Sequence, residues 1–589
     1  MRINHALLLL GVLAVVAGLA VAAVPGVQAQ EGGGMDHSGF PPLQGPFESG
    51  QEVTAACLTC HRAVADEIMG TTHWTWQYEN PVTGELLGKA NLVNNYCIST
   101  RTNEPRCTSC HIGYGWRDDT FDFAEATNID CLVCHDTTGT YQKFPTAAGN
   151  PVLGEPVEFG GATWEPVDLA FVAQNVGPTS RETCGACHFS GGGADGVKHG
   201  DLDNTMIDPA YEQDVHMSPD GLDFTCTACH VTEAHDIAGG RYVMESFSGG
   251  QASCENCHTA APHGSNTVLN NHASTLACQT CHIPAFARGE PTMMTWDWSK
   301  AGEMNPDGGG IWLRFDEETG VEVYDTRKGE FTWAANVVPE YRWFSGTFDY
   351  TLPGETLDPE TGFVVNAVQG TREDENARIW PFKAFTGVQP YDSVNNLIAP
   401  MHLFPTSPED STAFWKVYDW DLAIADGMAA YGLEYSGEYG FINSVMYWPI
   451  THQVAPAENA LICTDCHAEE GRLDWVALGY TAEEAAGLSA FPPSLGAAQE
   501  PTPAPTSEPT PAPEPTEAPT EEPAPAATEE VAGLTEGEQV VEEALEAESI
   551  ADLVTISAPD TRIGWLVVLG IAIVSGVIFV LISRQRKNG

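Results

Sequence analysis

Sixteen of the 17 cysteines fall into eight Cys-x-x-Cys-His motifs, beginning at Cys57, Cys107, Cys131, Cys184, Cys226, Cys254, Cys278 and Cys463. Two thiols three positions apart project from one turn of backbone, and the next residue adds an imidazole. That pattern suits thioether attachment to the two vinyl groups of a haem, with the imidazole on the iron. The second cysteines are Cys60, Cys110, Cys134, Cys187, Cys229, Cys257, Cys281 and Cys466. The proximal ligands are then His61, His111, His135, His188, His230, His258, His282 and His467. One such motif could be a zinc site or a redox dithiol. Eight in one chain read as eight covalently attached haem c groups.

Eight irons need eight ligands on their far sides. Beyond the motifs and the N-terminal apolar stretch the chain offers nine histidines. His73, His199, His216, His235, His263, His272, His402 and His452 are the expected metal ligands. His37, in a Gly-rich segment, reads as a plain surface residue, and Met206 or Met217 is an alternative ligand for one haem. Paired imidazoles give six-coordinate, low-spin iron, which suits electron transfer.

Substrate chemistry needs one iron with a displaceable ligand. The chain has eight lysines. One of them, Lys198, lies in a Gly-, His- and Asp-rich loop, Gly191 to Asp203, after the fourth motif. A neutral amine ligates iron when burial and the metal depress its pKa, so Lys198 is either that ligand or a surface lysine. Cys97 is the cysteine left outside the motifs. It is either an inert buried thiol or a reactive group beside a haem.

The elements that hold these residues read as follows. Residues 1–29 form a signal peptide, with Arg2 before an apolar run and Val27-Gln28-Ala29 as its cleavage site. Residues 30–496 form the haem-bearing domain. Its expected fold class is mainly α with extensive loops, the polypeptide being packed around eight haems. About 180 residues between Cys281 and Cys463 hold no cysteine and nine tryptophans, expected to be aromatic scaffold over haem faces. Residues 497–560 are a Pro/Thr/Glu-rich linker that cannot bury a core and acts as a disordered tether. Residues 561–583, with the uncharged run Ile563 to Ile582, read as one transmembrane helix. Residues 584–589 carry Arg584, Arg586 and Lys587, which orients that tail to the cytoplasm and the domain outside it. The formal charge of −56 disfavours nucleic acid as a partner. The expected partners are a small anionic substrate, an extracytoplasmic redox donor and the membrane, through the C-terminal helix. The expected location is the outer face of the cytoplasmic membrane.

Several stretches together resemble the octahaem tetrathionate reductase family of c-type cytochromes. They are Asn94-Asn95-Tyr96-Cys97-Ile98, Arg106 through Trp116, Val197-Lys198-His199-Gly200-Asp201-Leu202, and Ala277 through Pro284. Trp296-Asp297-Trp298-Ser299, Val338 through Phe344 and Tyr447 through His452 complete the set. The resemblance covers about residues 50 to 470. It implies that the haem of the second motif is the active site, with His111 proximal and Lys198 distal. It also implies a cysteine beside that haem, matched by Cys97, and an acidic residue, Asp201 or Asp203. The implied activity is reduction of a small sulfur or nitrogen compound: tetrathionate to thiosulfate, or nitrite, or hydroxylamine. The acidic tether and the terminal helix depart from the family's soluble members. Two other readings stay open. One is a non-catalytic electron conduit with every haem bis-His. The other is a relative of hydroxylamine oxidoreductase, whose cross-linking tyrosine could here only be Tyr480.

Overall fold

The computed structural model describes residues 35–80, 83–96, 99–190, 193–239 and 252–490. Cys97, the signal peptide, the linker, the apolar run 561–583 and the tail 584–589 lie outside the described residues. Among the described residues no helix is long and apolar enough to cross a membrane.

Up to about residue 290 the described residues run as short helices and loops with three small two-stranded sheets. Several helices are built on the haem motifs themselves: Leu132–His135, Arg181–His188, Glu255–His258 and Cys278–His282. Arg181–His188 is started by a capping box, with the Ser180 hydroxyl accepting from Thr183 N and the Thr183 hydroxyl returning to the Ser180 N–H. The second and fifth motifs form 3-10 turns, Cys107–Cys110 and Cys226–Ala228, and His111 after the former is extended, with φ −66° and ψ 145°.

From Thr292 onward the expected mainly α scaffold is corrected. The residues form a nine-stranded sheet: β1 Thr292–Asp297, β2 Leu313–Phe315, β3 Glu322–Asp325, β4 Gly329–Ala334, β5 Glu340–Phe344, β6 Phe363–Val364, β7 Arg378–Asp392, β8 Leu397–Ile398 and β9 Tyr439–Pro449. The order is β6-β9-β7-β1-β4-β3-β2, with β5 and β8 also paired to β7. Strands β7 and β9 run antiparallel from Phe382↔Pro449 to Asp392↔Tyr439, and β7 runs parallel to β1. The physical reason lies in the side chains: β9 alternates Phe441, Asn443, Val445 and Tyr447 with Ile442, Ser444, Met446 and Trp448. That is the aromatic and β-branched pattern of a pleated surface with two packed faces.

One face of the sheet packs the largest core, in which Trp296, Trp298, Phe385, Ile442, Met446 and Trp448 meet Met401, Phe414, Ile424 and Met428. Helix α1, Trp420–Ala430, closes this core and is capped by Asp419, whose carboxylate accepts from Leu422 N. It packs so tightly that a Cβ on Gly427 would lie 2.0 Å from the Pro400 carbonyl oxygen. Val197 and Tyr96 join the same core, so the sheet reaches the two segments that lead into Lys198 and Cys97.

Candidate functional site

Six motif histidines each face a histidine from outside the motifs. The ring centroids are 6.4 Å apart for His61 and His37, 6.1 Å for His188 and His73, and 6.2 Å for His230 and His452. They are 6.0 Å apart for His258 and His216, 6.2 Å for His282 and His263, and 6.1 Å for His467 and His272. A metal–imidazole bond of about 2 Å on each side places two ring centroids about 6 Å apart. Among the described residues no group of three or more His, Cys, Asp or Glu is assembled for a metal ion. Two imidazoles beside a cysteine pair are therefore sites that a macrocycle must complete, and the donor set fits haem.

Hydrogen bonds orient several of these rings, as the outer partners of metal-binding imidazoles do. Nδ1 of His135, His230 and His467 bonds the carbonyl oxygens of Gly177, Ala238 and Leu488 at 2.8, 2.7 and 2.8 Å. Nδ1 of His235 lies 2.8 Å from Glu67 Oε2. Among the described residues the rings of His135 and His235 are not paired with another histidine ring. His199 packs edge-on against Trp448, at 4.8 Å.

The structure moves two residues relative to the sequence expectation. His37 faces His61, although its Gly-rich sequence surroundings suggested a surface role. His402 is taken out of the ligand set: Nδ1 lies 2.7 Å from Thr102 O and Nε2 2.7 Å from Asp410 Oδ2. With both ring nitrogens bonded within the protein, no lone pair is left for iron.

The motifs interleave. The sulfurs of Cys57 and Cys131, Cys110 and Cys187, Cys184 and Cys226, and Cys254 and Cys278 lie close enough to act on one another. Cys134 lies within electrostatic reach of Cys184 and Cys187, Cys257 of Cys229, and Cys466 of Cys281. These contacts string the motifs in the order first, third, fourth, fifth, sixth, seventh and eighth. The second motif branches from the fourth.

That branch has an unusual setting. His111 is fully buried, 0% exposed, among Trp74, Trp76, Trp116, Phe121 and Phe123, with ring centroids 5.0 to 6.1 Å away. Its Nε2 lies 2.7 Å from Trp74 O, whereas Nδ1 is buried with no hydrogen-bond partner. Burial is the largest of the effects that push this imidazole down to about 3, so it is neutral.

Lys198 is buried, 7% exposed, at the end of the Gly-rich loop. Lys89, Lys198 and Lys143 all act electrostatically on the Cys110 sulfur, and Lys198 also acts on His188. Three of the eight lysines of a strongly acidic chain therefore converge on the second motif. Lys143 is itself buried. It pairs with Asp130 at 3.0 Å and donates to the carbonyl oxygens of His111 and Gly113.

The candidate acids are both buried. Asp201 Oδ2 accepts from Thr451 N at 2.7 Å and His452 N at 2.9 Å, and lies 3.1 Å from His452 Nδ1. Burial pushes its carboxyl up, but these donors outweigh burial and hold it below the usual range. The same contact raises His452, against burial. Oδ1 of Asp201 is buried without a partner. Asp203 instead caps the short 3-10 turn Asn204–Ile207 through Thr205 N at 2.9 Å, and burial raises its carboxyl. Tyr480 sits against Trp475 and under Arg372, beside the eighth motif.

Comparison with known proteins agrees with this geometry. The family model "Cytochrome c bacterial" matches residues 293–470, and "Cytochrome c554 and c-prime" matches residues 56–136. No curated protein matches the chain. The crystal structure of octaheme cytochrome c from Shewanella oneidensis superposes with a TM-score of 0.68 at 44% identity, covering 76% of this chain and 97% of that one. With its eight Cys-x-x-Cys-His motifs and paired histidines, this chain belongs to the octahaem cytochrome c family, binds haem c covalently and acts in electron transfer outside the cytoplasm.

Proposed function

We propose that the protein is a reductase of small sulfur or nitrogen oxyanions or compounds, with the second motif as its active site. The observation that carries this reading is the convergence of Lys89, Lys143 and Lys198 on Cys110 in an otherwise acidic chain. His111 and Lys198 are the residues that would ligate the haem iron at this motif. Haem bound by the eight motifs supplies one-electron transfer along the interleaved series and, at the second motif, a coordination position that an amine can share with substrate.

The residues around that position have separable tasks. Lys198, a weaker ligand than imidazole, would leave its coordination position open to substrate, and as an ammonium it would balance the charge of an anionic one. Lys89 and Lys143 add positive potential in a water-poor site, where it acts strongly. Asp201 holds His452 through Oδ2. Cys97 is the proposed sulfur-exchange partner for a disulfide-like substrate. Tetrathionate takes two electrons, its central S–S bond breaks and two thiosulfates leave, with no proton required. Nitrite and hydroxylamine are the alternative substrates. The reducing equivalents come from an extracytoplasmic donor, and residues 497–583 tether the domain to the membrane.

Low-temperature EPR of the oxidised, full-length protein tests the ligand assignment. A low-spin component removed by Lys198→Ala, with the remaining components unchanged, is expected. A spectrum that Lys198→Ala leaves intact would favour the non-catalytic electron conduit. The hydroxylamine-oxidising alternative needs a tyrosine at the active haem, whereas Tyr480 packs beside the eighth motif.

A further inference from the structure

The middle of a central strand is ordinarily apolar, yet β7 carries Lys383 there, with 0% exposure. Among the described residues no carboxylate lies within ion-pair distance of it. An ammonium buried in that way is unfavourable unless each donor finds an acceptor. Lys383 Nζ has three acceptors: Val197 O at 2.8 Å, Lys198 O at 3.2 Å and Thr292 Oγ1 at 2.7 Å. Thr292, on the neighbouring strand β1, faces the same loop. Its Oγ1 lies 2.7 Å from Gly196 O and 2.9 Å from His199 O, which share its one hydroxyl hydrogen.

Two side chains of the sheet thus engage the carbonyls of four consecutive residues, 196 through 199. A methionine would fill the space of Lys383 without burying a charge. What the lysine adds is this set of hydrogen bonds. The same strand holds the segment before Cys97. Asn95 Nδ2 donates to Phe385 O at 2.6 Å, Gln389 Nε2 donates to Asn94 O at 2.8 Å, and the Tyr96 ring stacks on Phe385 at 6.2 Å.

We propose that Lys383, assisted by Thr292, is the positioning residue of the active site: it clamps the backbone of the Lys198 loop to the sheet and so sets where the Lys198 amine stands over the second motif. This rests on the reading of Lys198 as an iron ligand. Rigid strands hold a site more accurately than a glycine-rich loop does alone. Lys383 touches neither substrate nor haem in this assignment; it acts through Lys198.

The test uses the full-length, haem-loaded protein, oxidised, with EPR and near-infrared magnetic circular dichroism as readouts of axial ligand type. Lys198→Met first identifies the amine-ligated component. In Lys383→Met and in Thr292→Val, the ratio of amine-ligated to unligated second-motif haem should then fall at least about tenfold, the effect of losing such hydrogen bonds. The imidazole-pair components should stay unchanged, and Thr292→Ser, which keeps the hydroxyl, should retain the amine component. Persistence of that component at its wild-type level in both Lys383→Met and Thr292→Val would overturn the proposal. If Lys383→Met does not accumulate with haem, the Thr292→Val and Thr292→Ser pair decides the matter alone. A spectrum unchanged by Lys198→Met would instead overturn the ligand reading beneath it.

Discussion

Replacing Lys143 by methionine removes the positive partner of a carboxylate that is wholly inside the protein. The side chains of Lys143 and Asp130 are 7% and 0% exposed, and Nζ lies 3.0 Å from Oδ2. Breaking one side of a buried ion pair costs about 3–5 kcal/mol, because the charge left behind has lost its compensation. Asp130 keeps other donors: Tyr114 Oη at 2.7 Å and Val133 N at 3.1 Å on Oδ1, and Tyr141 Oη at 2.7 Å on Oδ2. These soften the loss, so the lower end, about 3 kcal/mol, is expected. Asp130→Asn in the Lys143→Met background removes the stranded charge and should recover about 2 kcal/mol of it. The assay is urea unfolding of the haem-loaded protein at pH 7 for wild type, both single variants and the double. A loss below about 1 kcal/mol for Lys143→Met, or strict additivity across the four proteins, would refute the reasoning.

Three further outcomes follow from buried groups and close packing. Burial pushes Glu104 up to about 8. Its folded pKa is above its unfolded one, so the folded state gains below about pH 4.3 and that gain is lost as pH rises through 8. Glu104→Gln should therefore unfold later than wild type at pH 9 and converge with it near pH 5, measured as Tm against pH. Burial would raise Asp410, but the Thr412 and Thr406 amides and His402 outweigh it and hold the carboxyl low. Its stabilisation is present above about pH 4 and lost as pH falls further. Asp410→Asn should cost about 1–3 kcal/mol at pH 7, with the difference from wild type shrinking toward pH 2 in the same Tm series. Gly427→Ala puts a methyl against the Pro400 carbonyl, at 2.0 Å, and should cost about 1–3 kcal/mol in a denaturation experiment, against the small gain that alanine gives in an open helix.

The covalent chemistry was legible because it depends on local spacing: a Cys-x-x-Cys-His motif needs no tertiary context to be recognised. The far-side ligands were legible only as a set, since which imidazole meets which motif is decided by contacts far apart in the chain. His37 illustrates the limit. Its Gly-rich neighbours suggest a surface, whereas its ring lies 6.4 Å from His61. His402 fails in the opposite direction, because nothing near it in the chain announces that Thr102 and Asp410 take up both ring nitrogens. The sheet was missed for a physical reason. Strand β7 is interrupted in pattern by Pro381, Lys383, Gly387 and Pro390, each of which argues against a central strand. Pro381 falls where β5 rather than β9 pairs with the strand, and Lys383 and Gly387 serve close contacts: a Cβ at Gly387 would come within 3.2 Å of Asn95 Cβ. Lys198 stood out by its scarcity and its glycine-rich loop. Its support, Lys383, is 185 residues away and could not be paired with it from the sequence.

The central claim is that the second motif reduces small sulfur or nitrogen compounds with Lys198 at its iron. Film voltammetry of the full-length protein on an electrode, for wild type and Lys198→Ala, tests it most directly. Tetrathionate, nitrite and hydroxylamine are added in turn. The account predicts a catalytic reductive current with at least one of them, altered in Lys198→Ala, while the non-catalytic haem waves stay in place. Reversible haem waves with no catalytic current from any of the three, or a current identical in the variant, would contradict it.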